Sequence, residues 1–248
     1  MKIIQSEIFL KYTQIKFAFS TKNGLNREAP YYFNMSKSVG DDPKLVDENR
    51  ELFFASIGLK PNQIAFQKQI HTDKISIVNK PGFQGESDAM ITSEKNIGLA
   101  ISTADCTPIF IFDKEREIIA AVHSGWRSTK EKILQKTLQK LKSDFNSNPA
   151  NLIVYIGPCI SQKNYEVGKE FMNFFDKKYL QRKENKYLLD LKTANRDMLI
   201  EFGVLPKNIE ISDLCTFEEE YLHSYRRDGK VSGRALGIIA MGFSGLTN

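Results

Sequence analysis

Residues 97–127 have the sequence IGLAISTADCTPIFIFDKEREIIAAVHSGWR, and this stretch decides the fold. Its apolar runs predict three strands, over residues 97–102, 108–112 and 118–122. The polar residues 113–116 separate the last two runs and predict a tight turn, so these two strands form an antiparallel hairpin. Cys106 lies at the start of the first hairpin strand, and His123 ends the second. A hairpin of matched strands therefore places Cys106 and His123 at the same edge of a sheet.

Strands and helices alternate on both sides of this hairpin. Further strands are predicted over residues 15–20, 63–67, 74–78, 152–156, 209–212 and 236–240. Helices are predicted over residues 43–57, 128–145, 171–179 and 191–202. Short strands joined by hairpins among helices favour an α+β fold over a doubly wound parallel sheet. We expect a single domain over residues 1–248, built as a layered α/β sandwich with mixed and antiparallel sheets.

Two of these helices have a clear internal pattern. The first is predicted to bury one stripe, widened by Val46 and Phe53: Leu45, Asn49, Leu52 and Ser56. The second is predicted to begin with a capping box, in which Ser128 is followed three residues later by Glu131. Its apolar face has spacings of four, three and four: Leu134, Leu138, Leu141 and Phe145.

Composition is that of an ordinary globular protein and excludes several other classes. Of the 248 residues, 41% are hydrophobic and 26% are charged, and no run approaches the ~18 apolar residues of a membrane helix. Three cysteines are too few for a disulfide framework, and the first residues do not resemble a signal peptide, so we expect a reduced, cytoplasmic setting. The net charge of +5 is mild, and the most basic stretch, residues 177–186, is interpreted as a solvated surface loop. We expect neither nucleic acid nor a membrane as a partner.

Few residues are candidates for metal binding or nucleophilic catalysis, because the chain has three histidines and three cysteines. His71 lies in the sequence QIHTD, Cys106 in STADCTP and His123 in VHSGWR. Two imidazoles and a thiolate form either a three-ligand zinc site with one open position or a Cys–His nucleophilic pair. Both alternatives indicate an enzyme. The hairpin accounts for Cys106 and His123 but does not place His71 at the same edge.

The remaining cysteines and the last histidine have simpler interpretations. Cys159 and Cys215 are predicted to be buried in the core. His223 lies in a polar loop, HSYRRDG. Three arginines in or near that loop either bind an anion or lie on the surface: Arg226, Arg227 and Arg234.

Several motifs resemble the YfiH, or laccase-domain, family, also described as multicopper polyphenol oxidases and YfiH-type purine nucleoside phosphorylases. The central motifs are Q-x-H at residues 69–71, DA at 88–89, STADCTP at 102–108 and HSGWR at 123–127. Later motifs are IGPCI at 156–160, YEVG at 165–168, LCT at 214–216, SYRRDG at 224–229 and SGR at 232–234. The resemblance covers residues 19–237, which is nearly the whole chain.

The resemblance implies a fold, a metal site and a set of activities. The implied fold is similar to the catalytic domain of cytotoxic necrotizing factor, a layered α+β arrangement. The implied zinc ligands are His71, Cys106 and His123, and copper is the alternative metal. The implied reactions are phosphorolysis of adenosine, inosine and methylthioadenosine, deamination of adenosine, copper-dependent phenol oxidation and editing of peptidoglycan precursors.

Physical chemistry helps to rank these reactions. A zinc ion with two imidazole ligands and one thiolate lowers the pKa of a bound water to about 7, which suits deamination of adenine. Asp105 is predicted to act either as a general base or as a support for a ligating histidine. For phosphorolysis, which the resemblance puts first, Arg50 or Arg227 is expected to neutralise the phosphate.

One alternative is disfavoured and two stay open. Three histidines cannot supply the several copper centres of a multicopper oxidase, so we expect any phenol oxidation to be adventitious. A metal-free hydrolase acting on a peptidoglycan precursor would use Cys106 as nucleophile and His123 or His71 as base. A non-enzymatic partner of cell-division or envelope proteins is the third class.

Overall fold

The computed structural model describes residues 1–243, which form fifteen strands and six α-helices. The strands are β1 (Ile3–Ile4), β2 (Ile15–Ser20), β3 (Ile64–Lys68), β4 (Ile75–Ile77), β5 (Gly82–Glu86), β6 (Ala89–Thr92), β7 (Ile97–Thr103), β8 (Thr107–Asp113), β9 (Ile118–Ser124), β10 (Leu152–Ile156), β11 (Glu166–Val167), β12 (Leu180–Lys183), β13 (Lys186–Leu189), β14 (Ile209–Ile211) and β15 (Ala235–Met241). The helices are α1 (Glu7–Leu10), α2 (Pro43–Ser56), α3 (Trp126–Lys130), α4 (Ile133–Phe145), α5 (Leu191–Phe202) and α6 (Tyr225–Asp228). The predicted domain over residues 1–248 extends to residues 244–248, which lie outside the described residues.

The strands form two large sheets and one small sheet. The first large sheet has the order β1-β2-β15-β7-β3-β5, with antiparallel pairs up to β7 and parallel pairs beyond it. The second has the order β14-β10-β8-β9-β6-β4, antiparallel in its centre and parallel at both edges. The small sheet has the order β11-β13-β12. Both large sheets are therefore mixed, as the sequence predicts.

The predicted central hairpin is formed by β8 and β9. The two strands pair antiparallel with Pro108 opposite His123, and every residue of both strands is buried. Neighbouring side chains point to opposite faces, so Phe110 packs in the core between the two large sheets while Ile111 packs in the core beneath α4. Burial on both faces is the reason that these strands have uninterrupted apolar sequences.

Four layers pack on one another. Phe53 of α2 packs on the outer face of the first sheet. The two sheets pack face to face, and the rings of Phe17 and Phe110 meet edge-on with their centroids 4.9 Å apart. Leu138 of α4 and Leu199 of α5 cover the outer face of the second sheet. This arrangement confirms the layered α+β sandwich.

The helix predicted over residues 128–145 is interrupted. α3 begins at Trp126 after Gly125, and the left-handed backbone of Lys132 (φ 60°) separates α3 from α4. The predicted capping box was wrong, because Ser128 is the third residue of α3 and not the residue before the helix. Ser128 is also fully buried. Most of the predicted apolar face of α4 is buried, namely Leu134, Leu138 and Leu141.

Residues 171–179 do not form the predicted α-helix. Two short 3-10 turns, Lys169–Asn173 and Lys177–Tyr179, take its place. Asp176 separates the turns, because its carboxylate caps the second one by accepting a 2.9 Å hydrogen bond from the backbone N–H of Lys178. A side chain that hydrogen-bonds to the backbone can interrupt a helix, even where the spacing of apolar residues predicts that the helix continues.

The buried face of α2 is rotated from its predicted position. Leu52 is 36% exposed and Ser56 is exposed, while four other residues are buried: Val46, Asn49, Phe53 and Phe54. The two adjacent phenylalanines set this rotation, because both pack against the first sheet. In contrast, α5 matches the predicted bounds of 191–202. No helix among residues 1–243 has the length and apolar character needed to cross a bilayer.

Candidate active site

Cys106 lies in the short turn that joins β7 of the first sheet to β8 of the second. The backbone of Asp105 has a positive φ of 91°, and the Thr103 hydroxyl donates a 2.6 Å hydrogen bond to the carbonyl of Cys106. As a whole residue, Cys106 is partly exposed. It therefore lies where the two sheets meet, at one end of the sandwich.

His123 lies in β9 and is 3% exposed. Its Nδ1 atom is 2.9 Å from the Oδ1 atom of Asp88, a fully buried carboxylate. Because Asp88 engages Nδ1, the Nε2 atom is the one that remains available to bind an ion.

The same carboxylate also fixes His71. Asp88 accepts hydrogen bonds from the backbone N–H groups of Ile70, His71 and Thr72, at 3.2, 3.0 and 2.7 Å. His71 adopts a left-handed backbone conformation with φ of 61°. One buried acid therefore sets the positions of both histidines, although they belong to different parts of the chain.

The structure brings His71, Cys106 and His123 together. One ligand atom from each lies within 4.8 Å of the others, and the Sγ atom of Cys106 is 3.8 Å from Nε2 of His71. Two nitrogens and one sulfur at such distances fit a single metal ion with a fourth coordination position open. Gly125 leaves room for this cluster, because a Cβ atom there would lie 2.8 Å from Sγ of Cys106.

The side chains shift each other's pKa values. Burial favours the neutral thiol, but the neighbouring His123 and His71 outweigh burial and lower the pKa of Cys106 to about 6. Burial also disfavours the charged imidazole, yet Cys106 and Asp88 outweigh it and raise the pKa of His123 to about 9. In the metal-free protein at neutral pH, these two residues therefore form a thiolate–imidazolium pair.

Asp105 does not support a ligating histidine, contrary to one of its two expected roles. Its two carboxylate oxygens accept hydrogen bonds from the Thr216 hydroxyl and the Arg226 backbone N–H, both at 2.6 Å. Asp88 supports His123 instead, a role that was not predicted for it. The available signal was its position, an acid directly before the apolar strand β6.

The three clustered side chains line a cavity of about 930 Å³, a size typical of small-molecule sites. Five aromatic side chains line the same cavity: Phe66, Phe83, Trp126, Tyr165 and Tyr225. Four arginines do so as well: Arg50, Arg127, Arg226 and Arg234. Among the described residues of the wall, Asp105 is the single acid.

The two arginines predicted to bind substrate have different surroundings. Arg50 lines the cavity, and Arg227 is absent from the described lining. The guanidinium of Arg227 bonds to the Asp228 carboxylate and to four backbone carbonyls, those of Thr216, Phe217, Glu219 and Leu222. Its neighbour Arg226 lines the cavity instead, and so does Arg234, the third arginine for which the sequence left anion binding open.

None of the four cavity arginines forms an ion pair with an acid among residues 1–243. In the described part of the chain, the arginines that form ion pairs are others: Arg27, Arg196 and Arg227. Each cavity arginine lies over an aromatic ring instead. Burial lowers the pKa of Arg50 and Arg234, which reflects the cost of keeping unpaired positive charge away from water. The cavity therefore favours an anionic ligand.

Three other residues singled out from the sequence lie away from the cavity wall. Cys159 and Cys215 are buried, as predicted, and their backbones form an isolated parallel bridge. His223 lies in the loop before α6, as predicted, but it is 1% exposed, and its two ring nitrogens have no hydrogen-bond partner among residues 1–243. Burial lowers the pKa of His223 to about 3.

Comparison with known proteins identifies the family. The sequence profile described as "Multi-copper polyphenol oxidoreductase laccase" matches residues 16–242. The chain belongs to this family. The resemblance inferred from the sequence motifs is therefore confirmed.

Members of the family with similar sequences and folds carry related names. The purine nucleoside phosphorylase YfiH of Escherichia coli (strain K12) is 33% identical over 230 residues, covering 89% of this chain and 91% of that protein. A purine nucleoside phosphorylase of Clostridium acetobutylicum is 33% identical over 253 residues, covering 96% of this chain and 98% of that protein. The crystal structure of the hypothetical protein YfiH of Bacillus licheniformis matches with a TM-score of 0.89 and 28% identity over 94% of both chains.

Proposed function

We propose that the protein is a zinc-dependent purine nucleoside phosphorylase acting on adenosine, inosine and methylthioadenosine, with adenosine deamination as a side activity. The observation that carries this proposal is the convergence of His71, Cys106 and His123 on a cavity with unpaired arginines and aromatic rings. The purine nucleoside phosphorylase names of the two relatives support the same reaction.

Phosphorolysis forms a bond between a phosphate oxygen and C1′ of the sugar and breaks the bond between C1′ and N9 of the purine. The products are the free base and the sugar 1-phosphate. The phosphate must therefore be held against the sugar, and arginine guanidinium groups bind phosphate oxygens through pairs of parallel N–H donors. We assign this role to the cavity arginines: Arg50, Arg127, Arg226 and Arg234.

His71, Cys106 and His123 would hold the zinc ion. When bound, zinc would supply Lewis acidity and a fixed positive charge. Asp88 orients His123 through Nδ1 and holds the His71 loop through three backbone N–H groups. We assign Asp105 a positioning role, because its carboxylate accepts a hydrogen bond from the backbone of Arg226.

The phosphate dependence of product formation tests the proposal. Purified protein of measured zinc content is incubated with adenosine, inosine or methylthioadenosine, with and without phosphate, and the products are identified by mass. We expect free base and sugar 1-phosphate only when phosphate is present. Conversion of adenosine to inosine without phosphate would be the deaminase activity.

Two cysteine variants provide the matched comparison. Cys106→Ala removes a proposed ligand and should abolish base release, while Cys159→Ala removes a buried thiol outside the described cavity lining and should retain it. Absence of base release from all three nucleosides, with zinc bound and phosphate present, would rule out the phosphorylase assignment.

The thiolate–imidazolium pair supports one alternative, a metal-free Cys–His hydrolase acting on a peptidoglycan precursor. With a pKa of about 6, Cys106 in metal-free protein should react with iodoacetamide half-maximally near pH 6, whereas a free thiol does so near 8.5. The hydrolase assignment requires that metal-free protein is active and that this alkylation stops it. Activity that depends on added zinc would reject it.

Copper-dependent phenol oxidation is the third candidate function. The number of histidines available to bind copper does not favour it. The chain has three histidines, and His223 lies outside the described lining of the cavity that contains His71 and His123. A copper ion in place of zinc at the single His-Cys-His cluster would lack the further centres of a multicopper oxidase. Robust phenol oxidation by a preparation with one verified metal per chain would overturn this ranking.

Several sequence inferences stay predictions. These are a single catalytic domain over residues 1–248, a cytoplasmic location, and small-molecule substrates without nucleic-acid or membrane partners. Cell fractionation with an antibody against the protein tests the location directly.

A further inference from the structure

One aromatic ring in the cavity wall differs from the other four. A guanidinium lies over each of four rings, with carbon-to-centroid distances of 4.6 Å for Arg50 on Phe66, 4.3 Å for Arg127 on Trp126, 5.1 Å for Arg226 on Tyr165 and 5.5 Å for Arg234 on Tyr225. No cation among residues 1–243 covers Phe83 in this way. Phe83 is therefore the wall aromatic whose face is free of cations from the described part of the chain.

Phe83 also has an unusual exposure. It lies in β5, the edge strand of the first sheet, and 71% of its surface is exposed. It is paired in register with Phe66 of β3, so the two rings lie on the same side of the sheet. A large exposed apolar side chain on an edge strand promotes aggregation, and proteins usually place charged residues or proline there. Its position in the wall of a ligand cavity suggests a functional reason.

The backbone around Phe83 has space on both sides. Gly82 and Gly85 have φ values of +100° and +81°, and a Cβ atom at either position would meet no atom within 4 Å. Glycine adopts such conformations without the steric cost that other residues incur. The segment on either side of Phe83 is therefore not packed against other parts of the protein at these two glycines.

We propose that Phe83 stacks on the purine base of the bound nucleoside at the exposed rim of the cavity, while the arginines bind the phosphate. This inference rests on the proposed function and adds the residue that recognises the base. Stacking on an aromatic ring tolerates different bases, because every base has a π-face. Phe83 should therefore contribute similarly to the binding of adenosine and inosine, which share the purine ring system.

Steady-state kinetics of Phe83→Ala tests the inference. We expect the KM for adenosine and inosine to rise by roughly 5- to 100-fold, the range that removal of a stacking aromatic gives. The KM for phosphate should stay within about twofold, and Phe83→Tyr should restore nucleoside binding because it keeps the ring. Leu10→Ala is the matched control, since Leu10 is 66% exposed and lies outside the described cavity lining.

Calorimetric titration with inosine in the absence of phosphate measures the same loss without turnover, because inosine is not a substrate of the proposed deamination. A parallel rise in the KM of nucleoside and phosphate, or an unchanged nucleoside KM, would overturn the role of Phe83 and leave the phosphorylase assignment intact. If wild-type protein neither binds nor converts any purine nucleoside, the proposed function fails, and the role of Phe83 fails with it.

Discussion

His123 and His223 are both almost completely buried, with 3% and 1% of their surfaces exposed, yet their pKa values move in opposite directions. Burial opposes the charge of both. At His123, the neighbouring Cys106 and Asp88 outweigh burial and raise the pKa to about 9. At His223, no ring nitrogen has a partner in the described part of the chain, and burial lowers the pKa to about 3. The difference shows that the partners of a buried histidine, more than its burial, decide whether it carries charge.

Backbone packing around the two histidine regions is similar, which makes the comparison useful. A Cβ atom on Gly125 would lie 2.8 Å from Sγ of Cys106 and 3.1 Å from Cδ2 of His71. A Cβ atom on Gly233 would lie 2.5 Å from Cε1 of His223. Both regions therefore contain a glycine in close contact with an imidazole, that of His71 in the first and that of His223 in the second. In the first region the other imidazole, that of His123, has Asp88 as a hydrogen-bond partner, whereas the ring nitrogens of His223 have none among residues 1–243.

Asp88→Asn should have the largest effect, because it removes the charge that distinguishes the two histidines. The asparagine side chain has one acceptor oxygen where Asp88 uses two to bind His123 and the loop of His71. We expect zinc affinity to fall by roughly 10- to 100-fold, the usual effect of losing such a supporting acid. Competition with a chromogenic chelator measures the affinity.

Asp73→Asn is the matched control for that variant. Asp73 lies in the same loop region but pairs with Lys136 on the surface. Its zinc affinity should stay close to that of the unmodified protein. Equal zinc affinities for the two variants would show that Asp88 does not support the metal site.

Alanine substitutions of the two glycines should have smaller effects, one on stability and the other on zinc affinity. Gly233→Ala forces a Cβ atom against the ring of His223 and to within 2.6 Å of the backbone oxygen of Tyr31, so we expect a loss of roughly 2 kcal/mol in the free energy of unfolding. Gly125→Ala should reduce zinc affinity by roughly tenfold, as a disturbed ligand shell does, with little loss of stability. Urea unfolding and chelator competition on both variants separate the two quantities, and a reversed pattern would contradict the comparison.

His223→Phe should give the smallest effect and show it only in acid. In wild-type protein, the unfolded chain protonates His223 near its ordinary pKa of 6.5, while the folded chain keeps it neutral down to about 3. The unfolded state therefore binds the extra proton over that interval, and stability falls with decreasing pH by about 1.4 kcal/mol per pH unit. The variant lacks this loss. Urea unfolding at pH 7 and pH 5.5, with zinc removed from both proteins, measures the difference, and identical pH dependences would disprove it.

Much of the central site followed from the sequence because it depends on local structure. The uninterrupted apolar runs on either side of residues 113–116 predicted the hairpin, and the hairpin brings Cys106 and His123 to one edge. His71 was different. It lies in an irregular loop with a left-handed backbone, held by a side chain 17 residues further along the chain, so periodicity contains no information about its position. Residue type made His71 a candidate ligand, but its place beside Cys106 and His123 was implied by the family resemblance alone.

Side-chain direction in short elements was the main source of error. Arg226 and Arg227 are adjacent in α6, which has four residues, yet only Arg226 is in the described cavity lining. A helix of one turn has no apolar stripe that would show which side faces inward. Likewise, the three-residue spacing of Ser128 and Glu131 is that of a capping box and predicted that the helix begins at Ser128. In the structure the helix begins at Trp126, two residues earlier. The rotation of α2 was missed for a related reason, because two adjacent phenylalanines decided it.

Trp126 is the single tryptophan of the chain, and it lies in the cavity wall with Arg127 over its ring at 4.3 Å. Its indole packs against Phe171 and Phe174, with centroid distances of 4.9 and 6.1 Å. Tryptophan emission from the unlabelled protein therefore comes from one position, beside the ligand cavity. Entry of a nucleoside or an anion should change its intensity or wavelength, so a fluorimeter can follow occupancy in real time without a coupled assay or a reporter dye.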